Sequence, residues 1–278
     1  MQIDAHHHLW NYEPQEFAWI DDSMTTIRRD FTAGEWRSTL MQIGLQASVA
    51  VQARQSREET EFLLQQADSE PMIAGVVGWA PLREPSVRED LERWKSHPAF
   101  VGVRHVLQGE AAEFFHDSEF HRGLEQLVAL DLTYDLLIKE HQFPDAIQMV
   151  NRHPGLRVVL DHLGKPVATG APTSYWKQQI AELARRPNTW SKFSGLLTEA
   201  PCREWRAADI QAYFDVVLEA FGPERILFGS DWPVCLTVTS HAEWSRQVMD
   251  CVDRLSRQEQ EAILGANAAT CYRLNLAG

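Results

Sequence analysis

The chain has 278 residues and a mass of 31.8 kDa, which is long enough to bury a sizeable core. Hydrophobic residues make up 44% of it and charged residues 23%, the composition of a globular protein rather than a disordered one. The 39 acidic and 26 basic side chains give a formal net charge of −13. This charge predicts that neither nucleic acid nor an anionic membrane surface is a partner, because like charges repel.

The cellular location is predicted from the N-terminus, the apolar runs and the cysteines. Met1–His6 contains neither the basic nor the apolar segment of a secretory signal, and no run approaches the ~18 apolar residues of a membrane span. The cysteines, at positions 202, 235, 251 and 271, have no CxxC spacing. We therefore expect reduced thiols in a cytoplasmic protein, with Cys235 in a packing role rather than a nucleophilic one. The oligomeric state is left open, a homo-oligomer included.

Short apolar or β-branched runs recur along the whole chain and predict eight β-strands. Most of them are apolar on both faces, as strands of a buried parallel sheet are. The runs are Gln2–Ala5, Ala47–Val51, Ile73–Trp79, Val101–Val106, Thr133–Ile138, Arg157–Leu160, Trp190–Ser194 and Ile226–Phe228.

Helical patterns lie between these runs, and several begin with a capping box, in which Ser or Thr precedes Glu by three residues. The boxes are Thr32/Glu35, Ser56/Glu59, Ser86/Glu89, Ser240/Glu243 and Ser256/Glu259; further helices fit Ser118–Leu130, Pro144–Asn151, Ser174–Arg185 and Ala207–Phe221. Strands that alternate with helices in this way are typical of α/β folds.

Eight such units predict a (β/α)8 TIM barrel that forms a single domain over residues 1–278. An open, doubly wound sheet is the alternative, and it is disfavoured because no Gly-rich phosphate loop follows the first strand. The connection Leu9–Phe31 after strand one is long and aromatic. In a barrel it should lie at the C-terminal rim as a lid or a binding loop.

Candidate catalytic residues stand where the predicted strands end, which is where barrels of this kind carry their active sites. The first strand ends in three histidines, and strand alternation places His6 and His8 on one side and His7 on the other. The sixth strand ends at His162 and the eighth at Asp231. Three imidazoles and one carboxylate would thus converge, a set that suits a metal ion or a polarised carbonyl.

Four segments contain these strand ends. They are Asp4–Trp10 (DAHHHLW), Leu160–Pro166 (LDHLGKP), Lys192–Leu196 (KFSGL) and Phe228–Pro233 (FGSDWP). In this order they resemble the amidohydrolase superfamily, and more narrowly its lactonase branch, which acts on L-fuconolactone, L-rhamnonolactone and 2-pyrone-4,6-dicarboxylate. The resemblance spans nearly the whole chain and implies a (β/α)8 barrel that hydrolyses a lactone. It also implies that His6, His8 and His162 lie near the lactone carbonyl and that Asp231 is the general base.

The metal content is constrained by a departure from the superfamily pattern. Binuclear members bridge two metals with a carboxylated lysine on strand four and add a histidine on strand five. Here strand four contains Val101–His105 without a lysine, and strand five has no histidine, since His141 comes only later. We expect at most one Zn²⁺ or other divalent ion, held by His6, His8, His162 and Asp231. Metal-independent catalysis also remains open, because the lactonase branch includes members that work without metal.

The predicted reaction is the hydrolysis of a cyclic ester, which needs an activated water and a polarised carbonyl. Asp231 would take the proton of the water, and the histidine cluster or its metal would stabilise the oxyanion. Further residues that we expect to contact the substrate are Trp10, Arg104, His105, Lys165 and Trp232. Imidazoles and indoles suit a sugar, and the few cations favour a neutral aldonolactone such as L-fucono- or L-rhamnonolactone over a dicarboxylate.

Several alternatives stay open at this point. Arg104 could instead form a structural ion pair, and Lys192 could either pair with a buried carboxylate or reach the rim. A dicarboxylate substrate would require another arginine, with Arg54 or Arg57 the first candidates. The competing functions are a zinc-dependent decarboxylase of the same superfamily and a non-catalytic, sugar-binding barrel. A chelator test together with a sugar-lactone assay separates the decarboxylase from a lactonase, and the intact Asp231 disfavours the non-catalytic barrel.

Overall fold

The eight predicted strands are present and form one parallel sheet in chain order, β1 to β8, in a computed structural model that describes residues 1–168, 170–199 and 205–276. The strands are β1 Ile3–His7, β2 Ala47–Val51, β3 Ile73–Gly78, β4 Phe100–His105, β5 Thr133–Leu136, β6 Arg157–Leu160, β7 Thr189–Phe193 and β8 Ile226–Phe228. A parallel bridge between His7 of β1 and Trp232, in the segment that follows β8, closes the sheet into a barrel. The predicted (β/α)8 fold is confirmed, and the open sheet is excluded.

The helices lie between the strands, as the capping boxes predicted. They are α1 Ala33–Gln42, α2 Arg57–Ser69, α3 Val87–Lys95, α4 Ser118–Ala129, α5 Phe143–Arg152, α6 Ser174–Ala184, α7 Ala207–Phe221, α8 His241–Val252, α9 Arg257–Glu261 and α10 Asn267–Tyr272. The hydroxyls of Thr32, Ser56 and Ser240 accept the amide hydrogen of the glutamate three residues on. Ser86 makes no such side-chain bond, although α3 begins directly after it.

The C-terminal helix α10 covers the end of the barrel where the strands begin. The carbonyl of Cys271 accepts a hydrogen bond of 3.1 Å from Thr133, the first residue of β5. Tyr272 and Cys271 pack in one hydrophobic cluster with strand residues such as Val49 and Val77. Within the described residues this end of the barrel is therefore covered, and a ligand would enter from the opposite end, where the strands finish.

The long loop after β1 begins and ends at one point on that open end. The backbones of Trp10 and Phe31 exchange hydrogen bonds of 3.1 and 2.9 Å, and between them the chain makes only a short 3-10 turn at Thr25–Ile27. Phe17 is buried together with Trp10 and Phe31, whereas Trp19 keeps 40% of its surface exposed. The loop is thus a packed flap with an aromatic core of its own.

Cys235, Cys251 and Cys271 are buried free thiols, and Cys202 lies outside the described residues. Burial raises the pKa of Cys235, which disfavours a nucleophilic thiolate there. In the described part of the chain, no helix has the length and apolarity that crossing a bilayer demands.

We predict that Gly123→Ala lowers the free energy of unfolding by about 1–3 kcal/mol, because a well-packed site has no room for an added methyl group. A Cβ at Gly123 in α4 would lie 2.1 Å from the carbonyl oxygen of Leu82. The control is Gly34→Ala in α1, where no described atom lies within 4 Å of the added Cβ. That variant should be neutral or more stable by up to ~1 kcal/mol. Urea unfolding measures both, and equal effects would contradict the packing argument.

Candidate active site

Four predicted residues meet at the open end of the barrel. Oδ1 of Asp231 lies 3.4 Å from Nε2 of His8, 3.8 Å from Nε2 of His6 and 3.9 Å from Nε2 of His162. The two Nε2 atoms of His6 and His8 are 3.2 Å apart. All four side chains are at least 95% buried; His8, His162 and Asp231 line the floor of a cavity, whereas His6 lies behind them without lining it.

The first strand orients its three histidines as the alternation predicted. His7 lies on the other side from its neighbours, where its ring stacks on Trp36 with centroids 4.2 Å apart. The Nδ1 of His8 lies 2.7 Å from the carbonyl oxygen of Val51, which can only accept a hydrogen bond. His8 therefore donates a hydrogen bond from Nδ1, and its Nε2 faces Asp231.

His162 begins a short left-handed turn. His162, Leu163, Gly164 and Lys165 have φ angles of 51°, 58°, 68° and 47°. Three of these residues are not glycine, and each costs about 1–2 kcal/mol in this conformation, so the surroundings must hold the turn. The indole of Trp176 donates a hydrogen bond of 2.9 Å to the carbonyl of Leu163.

Electrostatics favour neutral imidazoles at His6 and His162 and an ionised carboxylate at Asp231. Burial lowers the pKa of His162 to about 4, and burial followed by the Lys192 ammonium lowers that of His6 well below its ordinary value. Burial would raise the pKa of Asp231, but the contacts with His162 and His8 outweigh it and the net shift is downward. At neutral pH the site thus offers the ionised carboxylate of Asp231 beside the uncharged imidazoles of His6 and His162.

A group of buried charges lies beneath this cluster. Nζ of Lys192 is 2.5 Å from Asp135 and 3.0 Å from Asp161, and the second oxygen of Asp161 accepts a hydrogen bond of 3.0 Å from Arg104. Burial raises the pKa of Asp135 to about 6, whereas Lys192 and then His6 overcome the same effect at Asp161 and lower its pKa. Lys192 thus pairs with carboxylates and does not reach the rim.

The sequence analysis assigned no role to Asp135, Asp161 or Ser194. A usable signal was present, because charged residues are rarely buried without a partner. Asp135 and Lys192 are charged residues inside predicted buried strands, so each was expected to have a partner of opposite charge. Which residues pair with each other could be seen only in the closed barrel, which brings the strands together.

The cavity above the cluster has a volume of about 510 Å³. Besides the catalytic candidates its wall includes Glu16 and Trp19 of the flap, Arg54 and Gln55 after β2, Arg104, Gln108, Lys165, Thr198, Glu199 and Thr237. Each cation of this wall is paired. Arg54 contacts Glu16 and Glu59, Lys165 lies 2.6 Å from Glu199, and Arg104 contacts Asp161.

The predicted substrate contacts divide into two groups. Arg104 and Lys165 line the cavity, but Trp10, Trp232 and His105 do not. Trp10 and Trp232 each pack edge-on against Phe31, with centroids 5.4 and 5.1 Å away. They pack behind the cavity and do not line it.

His105 and the two arginines after β2 are placed as follows. His105 faces a separate cavity of about 180 Å³, and its Nε2 lies 2.8 Å from Glu110. Arg54 lines the main cavity, whereas Arg57 pairs with Glu84 and Asp90 away from it.

One divalent ion would fit the cluster. Ligands of a tetrahedral zinc at about 2.0 Å are separated by about 3.3 Å. The Nε2 atoms of His6 and His8 and Oδ1 of Asp231 are separated by 3.2, 3.4 and 3.8 Å, and two imidazoles with a carboxylate are a donor set that zinc accepts. Asp161 forms a second candidate group with His6 and His162, but its carboxylate is already engaged by Lys192 and Arg104.

The chain is similar to known proteins over nearly its whole length. An L-fucono-1,5-lactonase of Burkholderia multivorans is 41% identical over 99% of this chain and 96% of its own length. An L-fucono-1,5-lactonase of Burkholderia ambifaria is 31% identical, with the same coverage of 99% and 96%. The crystal structure of an amidohydrolase from Burkholderia multivorans with bound zinc superposes with a TM-score of 0.95 at 41% identity, covering 99% of both chains.

A family model described as amidohydrolase matches residues 3–274, a span that contains every strand of the barrel and all four residues of the cluster. This chain therefore belongs to the amidohydrolase family.

Proposed function

We propose that this amidohydrolase hydrolyses a neutral sugar lactone of the L-fucono-1,5-lactone type to the open aldonic acid. The observation that carries the proposal is the position of Asp231, an ionised carboxylate 3.4 Å from His8 and 3.9 Å from His162 on the floor of the cavity. The names of the two relatives that are 41% and 31% identical support the same activity.

Asp231 acts as the general base. It removes a proton from a water whose oxygen attacks the lactone carbonyl carbon, and the carbonyl π electrons move onto its oxygen. When the tetrahedral intermediate collapses, the bond from carbon to the ring oxygen breaks and Asp231 returns the proton to that oxygen. The net change is the addition of one water, with no covalent enzyme intermediate.

The oxyanion is stabilised by donors that already face the cavity. Ser194 Oγ lies 2.9 Å from Nδ1 of His162; when this hydroxyl donates, the proton of the neutral ring lies on Nε2, towards the cavity. Arg104 adds a guanidinium in the same wall. Preorganised donors of this kind stabilise the developing charge more than the ground state.

We further propose that the site takes at most one divalent ion, zinc being the candidate. His6, His8 and Asp231 would hold the ion, with His162 beside them, and when bound it would polarise the lactone carbonyl as a Lewis acid. A second ion would lack a bridging ligand, because Phe100–His105 contains no lysine and Thr133–Leu136 no histidine.

We predict that Asp231→Asn keeps the fold and lowers kcat for L-fucono-1,5-lactone by about 10²–10⁴-fold, the range that a positioned general base supplies. The amide is nearly isosteric but cannot accept the proton of the water. Glu113→Gln, an exposed carboxylate elsewhere on the rim, is the matched control and should retain full activity. Near-normal turnover by a folded Asp231→Asn would refute the assignment.

The position of His162 depends on a close approach by Gly195. A Cβ on Gly195 would lie 2.4 Å from Nδ1 of His162, and Gly195 itself has a φ of 61°. The neighbouring Ser194 supplies the hydrogen bond to the same nitrogen. Any side chain at position 195 would therefore displace the imidazole that we propose as an oxyanion donor.

We predict that Gly195→Ala lowers kcat for L-fucono-1,5-lactone at least about tenfold, because displacement of a positioned donor costs at least that much. Gly109→Ala, also on the rim, serves as the control, since no described atom lies within 4 Å of its added Cβ. A crystal structure of the Gly195 variant should show the hydrogen bond from His162 to Ser194 broken. An unmoved imidazole with unchanged turnover would contradict this role.

The charge of the cavity favours a neutral substrate. Arg54, Arg104 and Lys165 are its cations, and each already has a carboxylate partner. A dicarboxylate would have to break one of these pairs or remain buried without a counter-charge, and both are costly. The hydroxyls of an aldonolactone, by contrast, can form hydrogen bonds with both the cation and the carboxylate of such a pair. They can also form hydrogen bonds with Gln55, Gln108, Thr198 and Thr237.

We predict that kcat/KM for L-fucono-1,5-lactone exceeds that for 2-pyrone-4,6-dicarboxylate by at least about 10²-fold, since one unpaired carboxylate costs roughly 3 kcal/mol in such a cavity. δ-Valerolactone, which is neutral but lacks hydroxyls, separates the effect of charge from that of hydroxyl recognition. A preference for the dicarboxylate would contradict this prediction. It would mean that Arg54 releases Glu16 and binds a carboxylate of the substrate instead.

A further inference from the structure

Trp19 lines the cavity but takes no part in the mechanism above. Within the described residues it is the only Trp, Tyr or Phe in the cavity wall. Its neighbours in the flap, Phe17 and Ile20, are buried, whereas Trp19 keeps 40% of its surface exposed. A large aromatic surface that stays open inside a cavity requires an explanation, because ligand pockets use such rings for contact.

The flap holds the indole of Trp19 in place from behind. The rings of Trp10 and Trp19 meet in a T-shaped contact, with centroids 5.8 Å apart and planes at 87°. Trp10 is itself fixed, since it is fully buried and its Nε1 donates a hydrogen bond of 2.8 Å to the carbonyl of Arg29. Close to Trp19 in the chain, Glu16 pairs with Arg54 of the barrel. The indole therefore has a defined position before any ligand binds.

The cavity wall is largely apolar around Trp19 and polar elsewhere. Met24 of the flap and Val234 after β8 line the same cavity, and the turn Thr25–Ile27 lies beside the turn Val234–Thr237. The flap and the loop after β8 thus form one apolar side. Most hydrogen-bonding side chains of the wall come from β4 and from the loops after β2, β4, β6 and β7; they are Gln55, Arg104, Gln108, Lys165, Thr198 and Glu199. Such a cavity suits a ligand with one apolar face and a polar remainder.

A six-membered sugar lactone of the galacto configuration has two faces that differ in this way. In L-fucono-1,5-lactone the C–H bonds at C3, C4 and C5 point to one face, and the axial hydroxyl at C4 points to the other. These C–H bonds carry partial positive charge because of the neighbouring oxygens, and the face of an indole is negative, so the two attract. The same contact removes apolar surface of both partners from water.

We propose that Trp19 is a specificity-determining residue, a stacking platform for the C–H face of a six-membered sugar lactone. This inference rests on the proposed function, because it names the part of the same substrate that the flap contacts. Trp10 was expected to contact the substrate, but the structure buries Trp10 and leaves Trp19 open to the cavity. The platform favours lactones that have no axial hydroxyl on the stacked face.

Stacking has a kinetic consequence that a purely structural role would not have. The contact is the same in the ground state and in the transition state, because C3, C4 and C5 do not react. Its loss should therefore raise KM and leave kcat nearly unchanged. If Trp19 only supported the flap, its replacement would instead lower kcat and the temperature of thermal unfolding.

The test compares Trp19→Leu with Trp19→Phe in the full-length enzyme. Leucine keeps an apolar side chain without a flat ring, whereas phenylalanine keeps the ring. Trp19→Leu should raise KM for L-fucono-1,5-lactone at least about fivefold and Trp19→Phe less than about twofold, in line with the usual strength of an aromatic contact. In both variants kcat should change less than about twofold. Equal KM values in the two variants would overturn the proposal.

The matched control is Tyr175→Leu. Tyr175 is another exposed aromatic residue, with 42% of its surface accessible, but it lines a separate cavity and not the one above Asp231. This variant should leave KM and kcat unchanged. A change in the oligomeric state of Trp19→Leu with an unchanged KM would show that Trp19 contacts a second copy of the chain, which would also overturn the proposal.

Two epimers test the stacked face directly. L-Galactono-1,5-lactone has the same C–H face as the fucono lactone, and L-gulono-1,5-lactone, its epimer at C3, carries an axial hydroxyl there. The wild type should favour the galactono lactone in kcat/KM, and Trp19→Leu should reduce this preference at least about fivefold, whereas Trp19→Phe should keep it. An unchanged preference in Trp19→Leu would contradict the platform.

Binding without turnover separates this inference from the proposed function. L-Fucono-1,5-lactam has an amide in place of the ester, and its Kd, measured by titration calorimetry, should rise at least about fivefold in Trp19→Leu. If the wild type hydrolyses no lactone but binds the lactam through Trp19, the proposed function fails and the platform stands. If the lactone is hydrolysed with the same KM in Trp19→Leu, the platform fails and the function stands. If the wild type neither hydrolyses the lactone nor binds the lactam, both fail.

Discussion

The closure of the barrel between β1 and β8 is the contact on which the rest of the site depends. Oδ1 of Asp4 accepts hydrogen bonds from the backbone amides of His6 and Ser230, at 2.9 and 3.0 Å, and the amide of Asp231 donates to the carbonyl of His6 at 2.8 Å. These hydrogen bonds take the place of regular strand pairing between β1 and β8, because β8 has only three residues. We call this contact the seam of the barrel. Because the two strands come from opposite ends of the chain, the seam itself brings the histidines of β1 against Asp231.

Below that seam the barrel interior is charged where such barrels usually hold branched apolar side chains. Lys192 and Arg104 are balanced by Asp135 and Asp161, so the group is neutral overall while every member is buried. Removal of any one member leaves an unpaired buried charge, which typically costs about 3–5 kcal/mol. Because the opposite charges compensate each other, all four side chains can stay buried and fixed in position. Arg104, which also lines the cavity, is thereby held rigidly, and a rigidly held donor stabilises a developing charge most effectively.

The flap after β1 completes the cavity. It carries Glu16 and Trp19 over the catalytic floor, and Glu16 meets Arg54, which Glu59 holds from the barrel side. Glu59 is almost fully buried and also accepts the backbone amide of Ala53, so Arg54 is fixed in direction. The result is a wall whose cations already have partners, which suits a polyhydroxylated neutral ligand better than an anionic one.

The sequence by itself determined the fold and the catalytic candidates. Strand and helix periods follow from local chemistry: three of the eight strands have the predicted limits, and the capping residues predicted where helices begin. His6, His8, His162 and Asp231 were recognisable because each stands at the end of a strand, and in a parallel barrel all such ends meet on one face.

Only the tertiary structure decided which of the remaining side chains face the cavity. Trp10, Trp232 and His105 were expected at the ligand, but Trp10 and Trp232 pack against Phe31 and His105 faces a separate, smaller cavity. A strand-end location in the sequence does not determine the direction in which such a side chain points. The pairing of Lys192 with Asp135 and Asp161 joins strands β5, β6 and β7 across the interior. Distances between side chains on different strands depend on the tilt and closure of the barrel, which no local pattern of residues encodes.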